Sequence, residues 1–170
     1  MKKIITFSLL SFLLTFTMQA QKIALVDVNE ILEELSDYRN AQSEIDNISS
    51  KWRQEIALEM DEIKSMYNKF QAEQVLLSDE IKRQREDEIM AKESAVREMQ
   101  KRRFGPDGDL FRKRQELISP VQDKVFTAIE DLASSRGYDI ILDKAGSAGI
   151  LFANDDYDKT DEVKRKLGIK

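Results

Sequence analysis

Between Tyr38 and Phe70 apolar side chains return every three or four residues, at Tyr38, Ala41, Ile45, Ile48, Trp52, Ile56, Met60, Ile63, Tyr67 and Phe70. Nine steps cover 32 residues, a mean of 3.56, which is a heptad-like seam whose phase breaks between Trp52 and Met60. Neither Pro nor Gly interrupts it. The pattern predicts a helix from about Tyr38 to Leu77, roughly 60 Å long at 1.5 Å per residue. A helix of that length overruns a small core, so its stripe must pack on a partner helix or another chain. Ser78, followed by Asp79 and Glu80, predicts the N-cap and acidic first turn of a returning helix that reaches about Arg103. Its apolar positions are sparse: Ile81, Ile89, Val96 and Met99. A full stripe against a thin one predicts an antiparallel arm, residues 38–103, with few buried contacts and low local stability.

The ends of the chain read differently. Ile23-Ala24-Leu25-Val26-Asp27-Val28 is a short β-branched, apolar run and predicts a buried strand, followed by a short helix Glu30–Leu35 capped by Asn29. Phe104-Gly105-Pro106-Asp107-Gly108-Asp109 separates the arm from the C-terminal part of the chain. A helical pattern resumes at Phe111, Ile118, Val121, Val125, Ala128 and Leu132. Pro120 is expected to kink or restart it, with Ser119 to Gln122 as a capping box. Gly137 is expected to end it in the left-handed conformation. Asp139–Asp143 and Ile150–Ala153 predict two further strands, joined as a hairpin through a loop that holds Gly146 and Gly149. Thr160 is placed to cap a last helix reaching Leu167, with acids in its first turn and bases in its last. The fold class is α+β. It is mostly helical, with a body (residues 21–37 and 104–170) of three short strands and an arm (residues 38–103) inserted between them. Three strands leave two open edges, which predicts pairing with other chains.

Composition narrows the chemistry. Charged residues make up 35%, above the roughly 25% usual for globular chains, and only six Gly and two Pro are present, as long solvated helices require. With no Cys and no His, thiol catalysis, histidine acid–base catalysis and structural zinc sites are excluded. Met1-Lys2-Lys3, an apolar run from Ile4 to Met18, and Gln19-Ala20 form the basic, apolar and small-residue regions of a secretory signal peptide, residues 1–20. Once Lys2 and Lys3 are removed, 25 basic and 32 acidic residues remain, a net of −7, so a nucleic-acid footprint is absent. For an enzyme the chain offers only scattered carboxylates, such as Asp139 with Asp143 or Asp155 with Asp156, and Asp in a turn is a turn former first. No catalytic residue, metal or cofactor is expected.

The order of these motifs resembles the Skp/OmpH family of periplasmic chaperones. The resemblance is carried by Ile23 to Asn29 with Ile31-Leu32, by Phe111 to Leu117 with Pro120-Val121-Gln122, and by Tyr138 to Asp143, Gly149 to Phe152 and Thr160 to Val163. It implies a jellyfish-like homotrimer. Its β-body would be built from strand residues Ile23, Leu25, Val26, Val28, Ile140, Leu142, Ile150 and Phe152. Coiled-coil arms would enclose a cavity in which unfolded outer-membrane β-barrel proteins are held without ATP. The arm from Arg39 to Arg103 carries 13 basic and 14 acidic residues, whereas the best-known members are basic, which argues against carrying lipid or lipopolysaccharide binding over.

A holding surface needs adaptable apolar side chains. Met60, Met66, Tyr67 and Phe70 lie in the outer arm, and Val75-Leu76-Leu77 at its tip. Met60, Tyr67 and Phe70 are in phase with the seam and are expected to pack within the arm. Met66 is out of phase and is expected to be exposed. Three consecutive apolar residues at a turn cannot all be buried in one thin arm, so Val75, Leu76 and Leu77 are the leading client contacts. A structural spacer or adaptor of the cell envelope is the alternative; it accounts for the heptads but not for strands bracketing them.

Overall fold

The computed structural model describes residues 21–146 and 149–169; the segment 1–20, expected to be a signal peptide, lies outside the described residues. The elements in order are β1 (Ile23–Val26), α1 (Val28–Glu34), α2 (Ser36–Glu73), a 3-10 turn (Gln74–Leu76), α3 (Asp79–Phe104), α4 (Asp109–Arg136), β2 (Ile140–Asp143), a second 3-10 turn (Asp155–Tyr157) and α5 (Thr160–Lys166).

β1 and β2 pair in parallel, Ile23 against Ile140 through Val26 against Asp143. A parallel pair needs a long crossover, and here the crossover is the whole helical excursion. The returning helix α4 lays Val121, Val125, Ala128 and Leu132 onto Val26, Ile31, Leu32, Leu35 and Val163, and these nine residues form the body core. The expected hairpin is not formed. β2 takes β1 as its partner, and Ile150–Ala153 is not a strand. β1's other side meets the chain just before α5, through a single bridge between Leu25 and Asp158 and a bond from Lys159 N to Leu25 O at 2.8 Å. A strand exists only where its backbone groups find partners. Both sides of β1 are taken within the chain, while the outer edge of β2, where a hairpin would have placed Ile150–Ala153, carries no strand among the described residues.

Two caps also differ from expectation. α1 starts at Val28, and its N-cap is Asp27, which accepts from Glu30 N at 2.9 Å; Asn29 lies inside the helix. Thr160 is the first residue of α5 and does not cap it. Its hydroxyl oxygen accepts from Asp27 N at 2.9 Å, tying α5 to the end of β1. Pro120 does not restart the helix; α4 runs on through it to Arg136. Pro120 and Glu116 are both exposed, so the carbonyl that lost its donor faces water, while Val121 and Val125 beside it are buried. Gly137 adopts φ 67° and closes the helix as its sequence predicts.

Ion pairs lock α5 down. Lys164 Nζ donates to Glu30 at 2.5 Å and Glu34 at 2.7 Å, and these two carboxylates hold its ammonium well above the ordinary lysine range. Asp158 accepts from Thr160 N at 2.9 Å, from the Thr160 hydroxyl at 2.6 Å and from Lys144 Nζ at 2.6 Å. Burial alone pushes the Asp158 carboxyl up, but the bonds from Lys144 and Thr160 outweigh it and hold the group below its ordinary 3.8. A depressed carboxylate contributes stability that is present above the unfolded value and is lost as pH falls through the lower folded value. Asp158→Asn should therefore lower Tm by several degrees at neutral pH, with the gap to the parent chain closing below about pH 3.8. Paired thermal melts across that range test it; a gap of constant size overturns it.

Candidate functional site

The arm is α2 and α3 lying side by side. Trp52 near the body meets Phe104, Lys92 meets Glu59 and Glu62, Tyr67 meets Glu93, and Phe70 shares a recess with Ile89 near the tip. Apolar burial here is thin. Ile56 on α2 and Ile89 and Val96 on α3 are the buried apolar side chains of the outer arm among the described residues. Polar links do much of the joining. Lys92 Nζ sits 2.6 Å from both Glu59 and Glu62, and the bonds to these carboxylates raise its pKa. The Tyr67 hydroxyl donates to Glu93 at 3.1 Å, and that bond, with burial behind it, raises the phenol.

The tip is where the arm cannot cover itself. After α2 the chain tightens into the 3-10 turn, and Ser78 then caps α3 by accepting from Ile81 N at 3.4 Å. So short a turn can aim only part of the apolar triplet inward. Leu77 turns in and shares a small recess of about 50 Å³ with Met66, Phe70 and Ile89, rimmed by Lys69 and Arg85. Val75 and Leu76 point out, 84% and 85% exposed.

The other expected contacts redistribute. Met66, expected in solvent, is half-buried in the tip recess. Met60 and Tyr67, expected inside the seam, are exposed, while Phe70 is half-buried as its phase predicts. Leu58 and Met90 are also exposed on the arm and were not among the expected contacts. Their signal is legible: Leu58 lies two residues past the buried Ile56, about 200° around the helix, so a leucine there cannot serve the same seam.

The strand residues expected to build the oligomeric body divide in two. Leu25 and Val26 are buried within the chain's own fold, and Ile23 and Val28 are half-buried beside them. Ile140 and Leu142 face outward from β2, and Phe152 is 89% exposed. Ile150 is half-buried at a groove of about 350 Å³ that is also lined by Leu25, Lys144, Phe152 and Asp158. Leu151, beside Phe152, is 99% exposed and was not among the residues expected to build the body. Of the carboxylates weighed for catalysis, Asp155 and Asp156 lie in the second 3-10 turn, and Asp143 and Asp139 have backbone partners. Asp143 accepts from Val28 N and Ala145 N, and Asp139 accepts from Lys22 N.

Comparison with known proteins agrees with this architecture. A family model described as outer membrane protein (OmpH-like) matches residues 22–167. The chaperone protein Skp of Photorhabdus laumondii is 25% identical over 146 residues, covering 84% of this chain and 87% of that protein. A crystal structure of an OmpH-like protein from Caulobacter crescentus, provisionally assigned as an outer membrane chaperone, superposes with a TM-score of 0.73 at 16% identity. It covers 87% of this chain and 84% of that one. On the extent of the family match, from the first strand to the last helix, the chain belongs to the outer membrane protein (OmpH-like) family.

Proposed function

We propose that this protein is an ATP-independent holding chaperone of the periplasm, reached through a cleaved signal peptide, whose three copies surround unfolded outer-membrane β-barrel proteins. The observation that carries the reading is the pair Val75 and Leu76, standing almost wholly in solvent at the free end of an arm that leaves the body. An isolated exposed apolar pair on a compact surface means little. At the end of a roughly 57 Å helix of 38 residues it is held out where a second molecule can meet it. Weak contacts at several arm tips add through effective concentration, so no single deep pocket is needed. The trimer part of the reading is supported by Ile140 and Leu142 on β2 and by Leu151 and Phe152 outside the sheet, apolar residues left exposed in the body of one chain. A spacer or adaptor would leave the apolar tip without a role.

Light scattering behind size exclusion, on residues 21–170 alone and then with a urea-unfolded barrel protein diluted into it, tests this. The expected result is three times the chain mass, and a soluble complex with the client. A monomer, or a trimer from which the client precipitates, overturns the reading.

A further inference from the structure

The arm joins the body where three helices meet. α2 passes through this junction without a break, while α3 ends at Phe104 and the chain turns through Gly105–Gly108 into α4. In the last turn of α3, the Arg103 guanidinium lies 4.4 Å from the centroid of the Trp52 ring on α2. Its Nη1 donates to Asp109 Oδ2 at 2.9 Å, on the first residue of α4. One side chain thus bridges all three helices. Phe104 meets Trp52 edge to face, with centroids 6.3 Å apart, and Arg53 lies over Phe104 in turn. Arg112 pairs with the other oxygen of Asp109. Both members of the Arg103–Asp109 pair are mostly buried, 28% and 23% exposed. Arg103 Nε is buried with no hydrogen-bond partner among the described residues. An arginine free to choose would turn that N–H to water. This one is held by the flat face it lays on Trp52 and by its reach to Asp109.

The glycines of the turn look like a hinge in the sequence, and the structure gives them another use. Both have ordinary negative φ, −63° at Gly105 and −73° at Gly108. A Cβ on Gly105 would stand 2.4 Å from the Lys101 carbonyl oxygen, and one on Gly108 would stand 2.8 Å from that of Arg102. They are glycines because the turn is wrapped tightly onto the end of α3. It is tied there by Gly105 N to Lys101 O at 2.8 Å and Gly108 N to Gly105 O at 2.9 Å. Farther out the links change character, to the water-exchangeable bridges of Lys92 and Tyr67 and a few buried side chains.

We propose that Arg103 is a positioning residue that pins the root of the arm to the body, so that the arm moves by bending and parting of its outer half and not by swinging at Gly105–Gly108. The proposal concerns where the arm bends and is independent of what it grips.

Hydrogen exchange on the assembled chain tests it, with Trp52, the single tryptophan, as a second reporter. Amides of residues 101–105 and 112–116, the hydrogen-bonded turns on either side of the junction, should exchange at least roughly tenfold more slowly than those of residues 62–88. Arg103→Met should remove that protection and shift Trp52 emission, while leaving exchange at residues 62–88 as in the parent chain. Arg103→Lys keeps the charge but not the flat face, and should fall between the two. If Arg103→Met fails to fold, the parent comparison and Arg103→Lys decide. Junction amides that exchange as fast as the outer arm in the parent chain overturn the proposal. So does an Arg103 variant that folds and leaves both junction exchange and Trp52 emission unchanged.

Discussion

Replacing Leu151 and Phe152 together by aspartate should break the assembly into single chains that are still folded. In one chain these residues are 99% and 89% exposed, so nothing in its own core depends on them. If they are covered at all, it is by another copy. Covering a Leu or Phe side chain is worth about 1.5–3 kcal/mol each, so the pair contributes about 3–6 kcal/mol per chain. At 1.4 kcal/mol per factor of ten, its loss weakens association by two to four orders of magnitude, and a carboxylate forced into the same interface adds to that. Light scattering should give the mass of one chain at concentrations where the parent is oligomeric, with unchanged helical circular dichroism. Val26→Asp separates interface from fold. Val26 is 1% exposed in the body core, and its replacement should unfold the body. An unchanged oligomer in the double variant would place the interface elsewhere, with Ile140 and Leu142 on β2 the next surface to alter.

The arm was legible because helical period is a local property that repeats. Ten apolar positions in phase, a Ser-Asp-Glu start for α3 and a glycine-rich break after it place three helices to within a few residues. What was not legible depends on partners far off in sequence. Ile150–Ala153 has strand composition, but composition does not choose a hydrogen-bond partner, and β2 pairs with β1 across the whole helical excursion and not with the segment that follows it. Asp27, Asn29 and Thr160 are all good capping types. Only the contact between Thr160 and the Asp27 amide, across 133 residues, shows that the threonine is engaged elsewhere and the aspartate makes the cap. Met60 and Met66 exchanged roles for a related reason. α2 packs on α4 near the body and on α3 beyond it, so its buried stripe rotates along its length. Ala41, Ile45, Ser49 and Ile56 lie on the inner part, and the tip recess takes Met66, Phe70 and Leu77. A straight helix drifts against a fixed heptad in any case. A single phase drawn through all ten positions therefore misplaces Met60 and Tyr67, although Phe70 beyond them falls where its phase puts it.

That rotation bears on the tip, where the second large effect is expected. Val75→Ser with Leu76→Ser should leave the native mass and melting temperature unchanged and sharply reduce the capacity to keep an unfolded barrel protein soluble. Both side chains are already in solvent, so polar replacements take nothing from the arm. Covering them with client is worth about 3 kcal/mol or more per arm, and the loss repeats at every arm that engages the same client. Affinity for a urea-unfolded barrel protein, followed by its fluorescence on dilution, should fall at least roughly tenfold. Leu77→Ser is the necessary contrast. Leu77 is turned into the recess with Met66, Phe70 and Ile89, so its replacement should loosen the tip itself, and faster hydrogen exchange at residues 74–90 should accompany any loss of holding. The two variants thus separate a lost contact from a lost shape. A double serine variant that holds clients as well as the parent moves the contact surface down the arm. Leu58, 63% exposed on the side away from the seam, and Met90, 55% exposed, are then the side chains best placed to carry it.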